Sequence, residues 1–293
     1  MPSTRDIRRR IKSVRNTAQI TKAMQMVAAS KMRKAQQAAL AGRPYADLIN
    51  RVLTEAAPRI AAFKHPLMEV RPVARHAVIL VSTDKGLCGA LNSNLFREAL
   101  KFDKDTVFVA AGRKAAQFVA RTHRQLAADF TYKDTPQFAE ARAISKYVQD
   151  LFARGEVDAV DILFTRFVST LVRQPEIMPF LPVGKIQPVA TGAGQRPPEH
   201  LPEAAPSVDT FEFEPDEPTV LGALLPHSLN FKMYQLLLEA RASEYSAKLV
   251  AMKNATENAM QLIKDLTLEY NKLRQANITR ELLEIASAQM AVA

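Results

Sequence analysis

Apolar or small residues recur at steps of three and four along the first forty positions: Ile7, Ile11, Val14, Ala18, Thr21, Met24, Ala28, Met32, Ala35 and Ala39. Residues 3–41 contain neither Gly nor Pro and consist largely of strong helix formers. The pattern predicts one long helix with a narrow apolar seam. Gly42 and Pro44 mark a bend, and Pro58 the expected end, because proline lacks the helical donor and clashes with the preceding turn. The 67 residues after Pro226 also lack Gly and Pro. Here Met252, Ala255, Ala259, Leu262, Leu266, Tyr270 and Leu273 form a second stripe of about two positions per heptad. At about 1.5 Å per residue this helix would run about 100 Å, longer than a small domain is wide. The two seams are expected to pair over a limited region, leaving a distal stretch to other chains.

Between the two helices the period changes. Residues 76–82 (HAVILVS) read as a buried strand ending in the loop Thr83-Asp84-Lys85-Gly86, followed by a helix over 90–101. A strand over 106–112, helices over 113–121 and 136–154, and a strand over 157–169 continue the alternation. This predicts a mainly parallel sheet covered on both faces. Residues 175–226 hold 11 of the 17 prolines and the acidic cluster Asp209, Glu212, Glu214, Asp216 and Glu217. They read as an irregular return segment with edge strands at 181–189 and 210–213.

Charge sharpens this picture. The net charge is +10, yet residues 1–64 alone carry 14 Lys/Arg against three acidic groups, so the excess sits in the first helix. A basic arm on nucleic acid would need no long apolar seam, and a membrane-surface helix would carry Leu and aromatics where this face carries Ala, Met and Ile. The remaining use is a shaft, seam inward and charges outward. No apolar run reaches the ~18 residues of a membrane span, and no signal-type segment follows MPSTRDIRRR, so attachment through partners is expected.

Candidate chemistry is thin. Gly86-Leu87-Cys88-Gly89 follows the first strand, but G-x-x-G alone marks a tight turn more often than a phosphate cradle. Gly184-Lys185 is followed by Ile186, which is not a P-loop. His65, His76, His123, His200 and His227 are scattered without metal-ligand spacing. Cys88 is the lone cysteine, a nucleophile only if a base lies beside it. Asn254-Ala-Thr256 and Asn277-Ile-Thr279 match the glycosylation pattern by chance. A nucleotide-dependent enzyme is thus the weakest reading, and a basic coiled-coil nucleic-acid or scaffold protein the alternative to a shaft.

Four segments carry a more specific signal: RRRIKSVRNTAQITKAMQMVAASKMRKAQ (8–36), TDKGLCGALN (83–92), ASEYSAKLVAMKNATENA (242–259) and YNKLRQANITRELLEI (270–285). In this order they closely resemble the gamma subunit of F-type ATP synthase. The chain departs from that pattern at Lys248, where Arg is usual, at Ala288-Gln289, usually Gly-Ala, and at Phe211 and Phe213, where Tyr is usual. The resemblance implies an α/β chain in which long N- and C-terminal helices form an antiparallel, asymmetric coiled coil with an inserted Rossmann-like α/β domain. The expected division is 1–64 for the N-terminal helix, 65–208 for the α/β domain and 209–293 for the return segment and C-terminal helix.

The resemblance further implies a non-catalytic central stalk without cofactor or metal. Its partners would be three alpha and three beta subunits, the epsilon subunit and the c-ring, with no nucleic acid and with membrane contact only through partners. The implied place is the cytoplasmic face of the bacterial inner membrane. Arg274, Gln275, Thr279 and Glu281 would meet the catch-loop region of the hexamer, Met24, Lys85 and Cys88 would lie near the beta-subunit lever, and Glu214 would face the c-ring.

Overall fold

The computed structural model describes residues 3–42, 44–46, 48–49, 52, 65–183, 214 and 216–292. In chain order the elements are α1 (Thr4–Ala41), β1 (His76–Val81), α2 (Leu91–Ala99), β2 (Val107–Ala111), α3 (Arg113–Arg121), β3 (Leu126–Phe130), α4 (Phe138–Ala153), β4 (Ala159–Phe167), β5 (Arg173–Leu181) and α5 (Glu217–Val292). A 3₁₀ turn at Pro66–Met68 precedes β1. The chain divides into two compact units: Met1–Ala28 with Leu249–Ala293, and Ala29–Lys248.

The first unit is a pair of helical segments from α1 and α5. At its start, the Ser3 hydroxyl accepts the Asp6 N–H (3.2 Å) and donates to the Asp6 carboxylate (2.8 Å), closing the first turn. The Ser3 hydroxyl and the Ser3 N–H, both donating to the Asp6 carboxylate, hold it below the usual carboxylate range. The expected α1 seam is present: Ile7, Ala18, Thr21 and Ala28 are buried, and Ile11, Val14 and Met24 half-buried.

The α5 seam needs one correction. Leu262 is 43% exposed, and the inward register passes through Met252, Thr256, Ala259, Ile263, Leu266, Tyr270 and Leu273. These alternate four and three residues apart, a true heptad. The sequence pattern passed over Thr256 because it is polar, but its hydroxyl is satisfied. It meets the Thr21 hydroxyl at 2.7 Å, and each oxygen also reaches a carbonyl of its own helix, Ala18 at 3.1 Å and Met252 at 2.8 Å. One hydroxyl donates across the pair and the other back to its own helix, so neither buried group is left unmatched. Farther along, Arg8 donates to the Tyr270 hydroxyl and lies 5.3 Å from its ring centroid.

The second unit is built on a five-stranded sheet of order β3-β2-β1-β4-β5, parallel except for the antiparallel β4–β5 pair. Strand alternation sorts the core into two faces. Ala77, Ile79 and Val81 of β1 pack with Ala141, Ile144, Val148 and Phe152 of α4 and with Leu229, Met233, Leu236 and Leu237 of α5. Val78 and Leu80 pack with Leu95 and Ala99 of α2 and Ala115, Phe118 and Val119 of α3. Each fully buried Ile, Leu or Phe contributes roughly 1.5–3 kcal/mol. The other seam positions of α1 lie in this unit, with Ala35 packed on Phe167 and Ala242.

Several expectations are corrected. β3 was not anticipated, since LAADF is an exposed edge strand without the apolar run of its neighbours. β5 begins two residues before the stretch read as irregular and runs into it; its Pro175 and Pro179 fit an edge strand, where a missing donor costs no ladder bond. Of the strand expected at 181–189 only Leu181 belongs to β5, while residues 184–189 and the strand expected at 210–213 lie outside the described residues, as do Phe211 and Phe213.

α5 starts at Glu217, not after Pro226. Asp216 opens it, accepting the Thr219 N–H (3.2 Å) and hydroxyl (2.7 Å). The carbonyl deprived of a partner by Pro226 belongs to Gly222, where the bare backbone can tilt from the ring. α1 ends at Ala41 and the chain turns at Gly42, where a bend is expected; residues 44–46, 48, 49 and 52 are again helical, and Pro58 lies outside the described residues. At Gly42 a Cβ would come 2.0 Å from Gln235 Nε2 on α5, the far end of a flexible side chain that can swing aside, so glycine eases the approach there without being required.

Gly112, between β2 and α3, has φ +104°, and a Cβ there would lie 2.4 Å from the Ser82 carbonyl oxygen. Gly112→Ala should therefore destabilise the chain by about 2 kcal/mol, through backbone strain and the clash together. Urea unfolding checks this, and an unchanged midpoint would contradict the close approach.

Candidate functional site

In open α/β sheets the carboxyl ends of the strands, at the point where strand order reverses, form the usual ligand crevice. Here that point lies between β1 and β4. Four strand ends converge there: Ser82 to Asp84 after β1, Gly112 after β2, Tyr132 after β3, and Thr165 to Phe167 closing β4. The crevice is filled by the chain's own α5. Glu239 accepts the Phe167 N–H (3.1 Å), and the Ser243 hydroxyl donates to the Thr165 carbonyl (2.8 Å).

Arg241 forms the centre of this seal. Its side chain is 1% exposed. One Nη donates to Glu244 (2.6 Å) and the other to Asp84 (2.9 Å) and the Tyr132 carbonyl (2.6 Å), with the guanidinium 4.1 Å from the Tyr132 ring centroid. Burial alone would pull its pKa down, but Tyr132, Glu244 and Asp84 outweigh burial and raise it above its ordinary value. The Tyr132 hydroxyl donates to the Ser82 carbonyl (3.1 Å), and the Ser82 hydroxyl accepts the Ala115 N–H (2.7 Å). Asp84 uses its second oxygen to accept the Arg113 N–H (3.1 Å) at the start of α3. An aspartate thus occupies the amide end where an anion would otherwise bind.

A second tier surrounds this centre. Lys248 donates to the free oxygen of Glu244 (3.1 Å). Lys248 and Lys31 lie 5.5 and 5.6 Å from the Tyr245 ring centroid, and Lys31 pairs with Asp134. Lys248 makes a single-point contact where an Arg could have made two.

The loop after β1 is tied at both ends. The Thr83 hydroxyl donates to the Lys85 carbonyl (2.7 Å) and accepts from the Asn92 amide (2.7 Å). Cys88 is 3% exposed against Leu91 and Ala247, and burial raises its thiol pKa, so it is a packing residue rather than a thiolate nucleophile. Between these anchors Lys85, Gly86 and Leu87 are exposed, Leu87 with φ +65°.

The other expected site residues are dispersed. Met24 is half-buried in the α1 seam, and Arg274, Gln275, Thr279 and Glu281 all lie on the exposed part of α5 in the first unit, with the Thr279 hydroxyl donating to the Gln275 carbonyl (3.0 Å). Glu214 is exposed just before α5. Lys185 and His200 lie outside the described residues. His76 pairs with Asp161 (3.0 Å) and His65 caps the 3₁₀ turn through the Leu67 N–H (3.2 Å). Among the described residues no cluster of metal-ligating side chains occurs. Sequence reasoning missed Arg241: it lies in an Ala- and Ser-rich helical stretch with no local partner except Glu244, and its long-range partners Asp84 and Tyr132 are visible only in the fold.

The family described as ATP synthase matches residues 3–292 of this chain. The ATP synthase gamma chain of Opitutus terrae is 49% identical over the full length of both chains, and that of Methylacidiphilum infernorum 44% over the full length of both. The gamma chain of Roseiflexus sp. is 46% identical, covering all of this chain and 99% of the relative. Among solved structures, a chain of the Euglena gracilis mitochondrial ATP synthase (OSCP/F1/c-ring, rotational state 3) aligns over 99% of this chain and 94% of its own, with TM-score 0.64 and 19% identity. A chain of the Tetrahymena thermophila central stalk and c-ring aligns over 80% of this chain and 99% of its own, with TM-score 0.58 and 21% identity. These two likenesses concern the fold.

Proposed function

Since the chain belongs to the ATP synthase gamma family, we propose that it is the rotating central-stalk subunit that couples proton-driven turning of a membrane c-ring to ATP synthesis or hydrolysis on beta subunits. The observation that carries this reading is the bare end of α5. From Arg274 to Ser287 every residue is exposed, including Ile278, Leu282, Leu283 and Ile285 at 47–65%. Apolar side chains gathered on one uncovered helical segment mark a protein contact surface. The partners of this reading are three alpha and three beta subunits around that segment, with epsilon and the c-ring at the other end.

The crevice filled by Arg241 and α5 supports a subunit without an active site of its own, because the position where nucleotide sits in related sheets is taken by side chains. Coupling then resides in contacts. An asymmetric shaft touches three catalytic interfaces unequally, and each interface settles in the conformation its contact favours. Rotation exchanges those differences in sequence, so the coupling free energy equals the difference in contact free energy.

In this reading Arg274, Gln275, Thr279 and Glu281 contact the catch-loop region. Met24, Lys85 and Cys88 lie near the beta-subunit lever, Lys85 as the exposed contact and Cys88 as the anchor of its loop. Glu214 faces the c-ring. No described helix is long and apolar enough to cross a membrane, and we place the chain at the cytoplasmic face of the bacterial inner membrane through its partners.

Co-expression with alpha and beta subunits should yield one ATP-hydrolysing complex containing this chain. ATP synthesis left intact by its deletion would overturn the proposal. Gln275→Ala and Arg274→Ala should leave the isolated fold within about 0.5 kcal/mol, since exposed polar sites contribute little. In the assembly they should lower coupled turnover roughly fivefold or more, the scale of a 1 kcal/mol coupling loss. Equal turnover in variant and parent complexes would remove these contacts from the mechanism.

A further inference from the structure

We propose that Arg241 is a positioning residue that fastens the Thr83–Cys88 loop to α5, so that the exposed Lys85–Leu87 tip keeps a fixed phase with the long helix. The inference deepens the function proposed above and rests on it for the role of Lys85. Three observations support it. Arg241 on α5 holds Asp84 at 2.9 Å, one residue before the tip, and Cys88, one residue after the tip, packs on Ala247 of the same helix. The anchors on α5 are six residues apart, so the loop is tied at two levels about 9 Å apart along the helix and on two adjoining faces of it. Within the loop, the Thr83 hydroxyl bond to the Lys85 carbonyl fixes the backbone that carries the Lys85 side chain.

The burial of the charges explains why this fastening is stiff. Arg241 and Glu244 are 1% and 4% exposed and Asp84 22%. A charge-assisted bond in such surroundings is stronger than a surface pair, and its geometry is fixed by the planar guanidinium. A lysine at 241 could not serve Asp84, Glu244 and the Tyr132 carbonyl from the same spread of donors. The contact that Lys85 makes is therefore set by the orientation of α5 rather than by loop diffusion.

Asp84→Asn tests this without disturbing the core, because asparagine is isosteric and still accepts the Arg113 N–H. Arg241→Lys is the companion variant. In the full-length isolated chain, backbone order parameters at Lys85, Gly86 and Leu87 should fall from about 0.85 to below about 0.6 in both variants, while β1 and α2 stay rigid. Unchanged order parameters at the tip would overturn the proposal. In the complex with alpha and beta subunits, a cycle of Asp84→Asn with Lys85→Ala reads the functional half. If Arg241 acts through the tip, the double variant should show the same coupled turnover as Lys85→Ala alone; losses that multiply would mean a general structural role and would also overturn it. If Lys85→Ala has no effect while the tip order parameters fall, the fastening stands and the beta-lever contact assigned to Lys85 fails. The failures of the two readings are thereby separated.

Discussion

Arg241→Met should lower the unfolding free energy by about 3–5 kcal/mol, the usual cost of removing one partner from a buried charge cluster. Methionine fills much of the same volume, so lost packing is a minor part. The larger part is that Asp84 and Glu244 lose their counter-charge; Glu244 keeps only Lys248 and Asp84 keeps only the Arg113 N–H. The Tyr132 carbonyl also loses its 2.6 Å donor. For a unit of this size the midpoint of thermal unfolding should fall by on the order of 10 °C. A quadruple variant, Arg241→Met with Asp84→Asn, Glu244→Gln and Lys248→Met, should recover most of the loss, because replacing every member of a buried ionic group leaves no stranded charge. Calorimetry of the three proteins decides the matter. Equal stability of R241M and the parent would show that the cluster is solvated, against the 1% exposure of its centre.

The second large effect depends on pH and concerns Glu239. Its carboxyl is 8% exposed on α5 and pushed up to about 7, chiefly by burial. The Phe167 N–H and Arg166 pull it down, and Glu176 adds to the rise. The folded pKa lies above the unfolded one, so the folded chain holds the proton more tightly. The associated stability is fully present below about pH 4.5 and is lost as pH rises through about 7. Glu239→Gln keeps an oxygen for the Phe167 N–H and removes the titration. It should be stabilising by up to about 3 kcal/mol above pH 7 and nearly neutral at about pH 4.5. Urea titrations across that window test the sign. A variant equally shifted at both ends would show that Glu239 is not the titrating group.

Much of the architecture follows from periodicity alone. The α1 seam from Ile7 to Ala39 lies inward at every expected position, because a long run without Gly or Pro leaves the helix no alternative register. β1, β2 and β4 fall within two residues of their expected bounds, since strands buried on both faces are continuous apolar runs. β3 and β5 were less legible: edge strands face water on one side and need no such run, and prolines at 175 and 179 argued for a loop. The register of α5 was misjudged at Leu262 because Ile263 beside it is equally apolar, and Thr256 was passed over because a satisfied threonine pair can replace an apolar one in a seam.

The candidate site divides in the same way. Lys85, Cys88, Arg274 and Gln275 stand in two of the contiguous motifs that carry the family resemblance, and local segments are what a sequence displays directly. The seal at the sheet edge was not legible. Arg241 and Asp84 are 157 residues apart, and nothing along the chain distinguishes this arginine from one that faces solvent.

The sequence by itself thus determined which stretches are helical, which strands are buried, and which family's motifs the chain carries, because period, breakers and contiguous residues are local properties. Only the tertiary structure decided that the crevice at the strand ends is filled by Arg241 and that Asp84 and Cys88 of the Lys85 loop pack on α5. Burial and charge pairing depend on which distant residues meet in low dielectric, and that meeting exists only once the sheet and the long helix have packed.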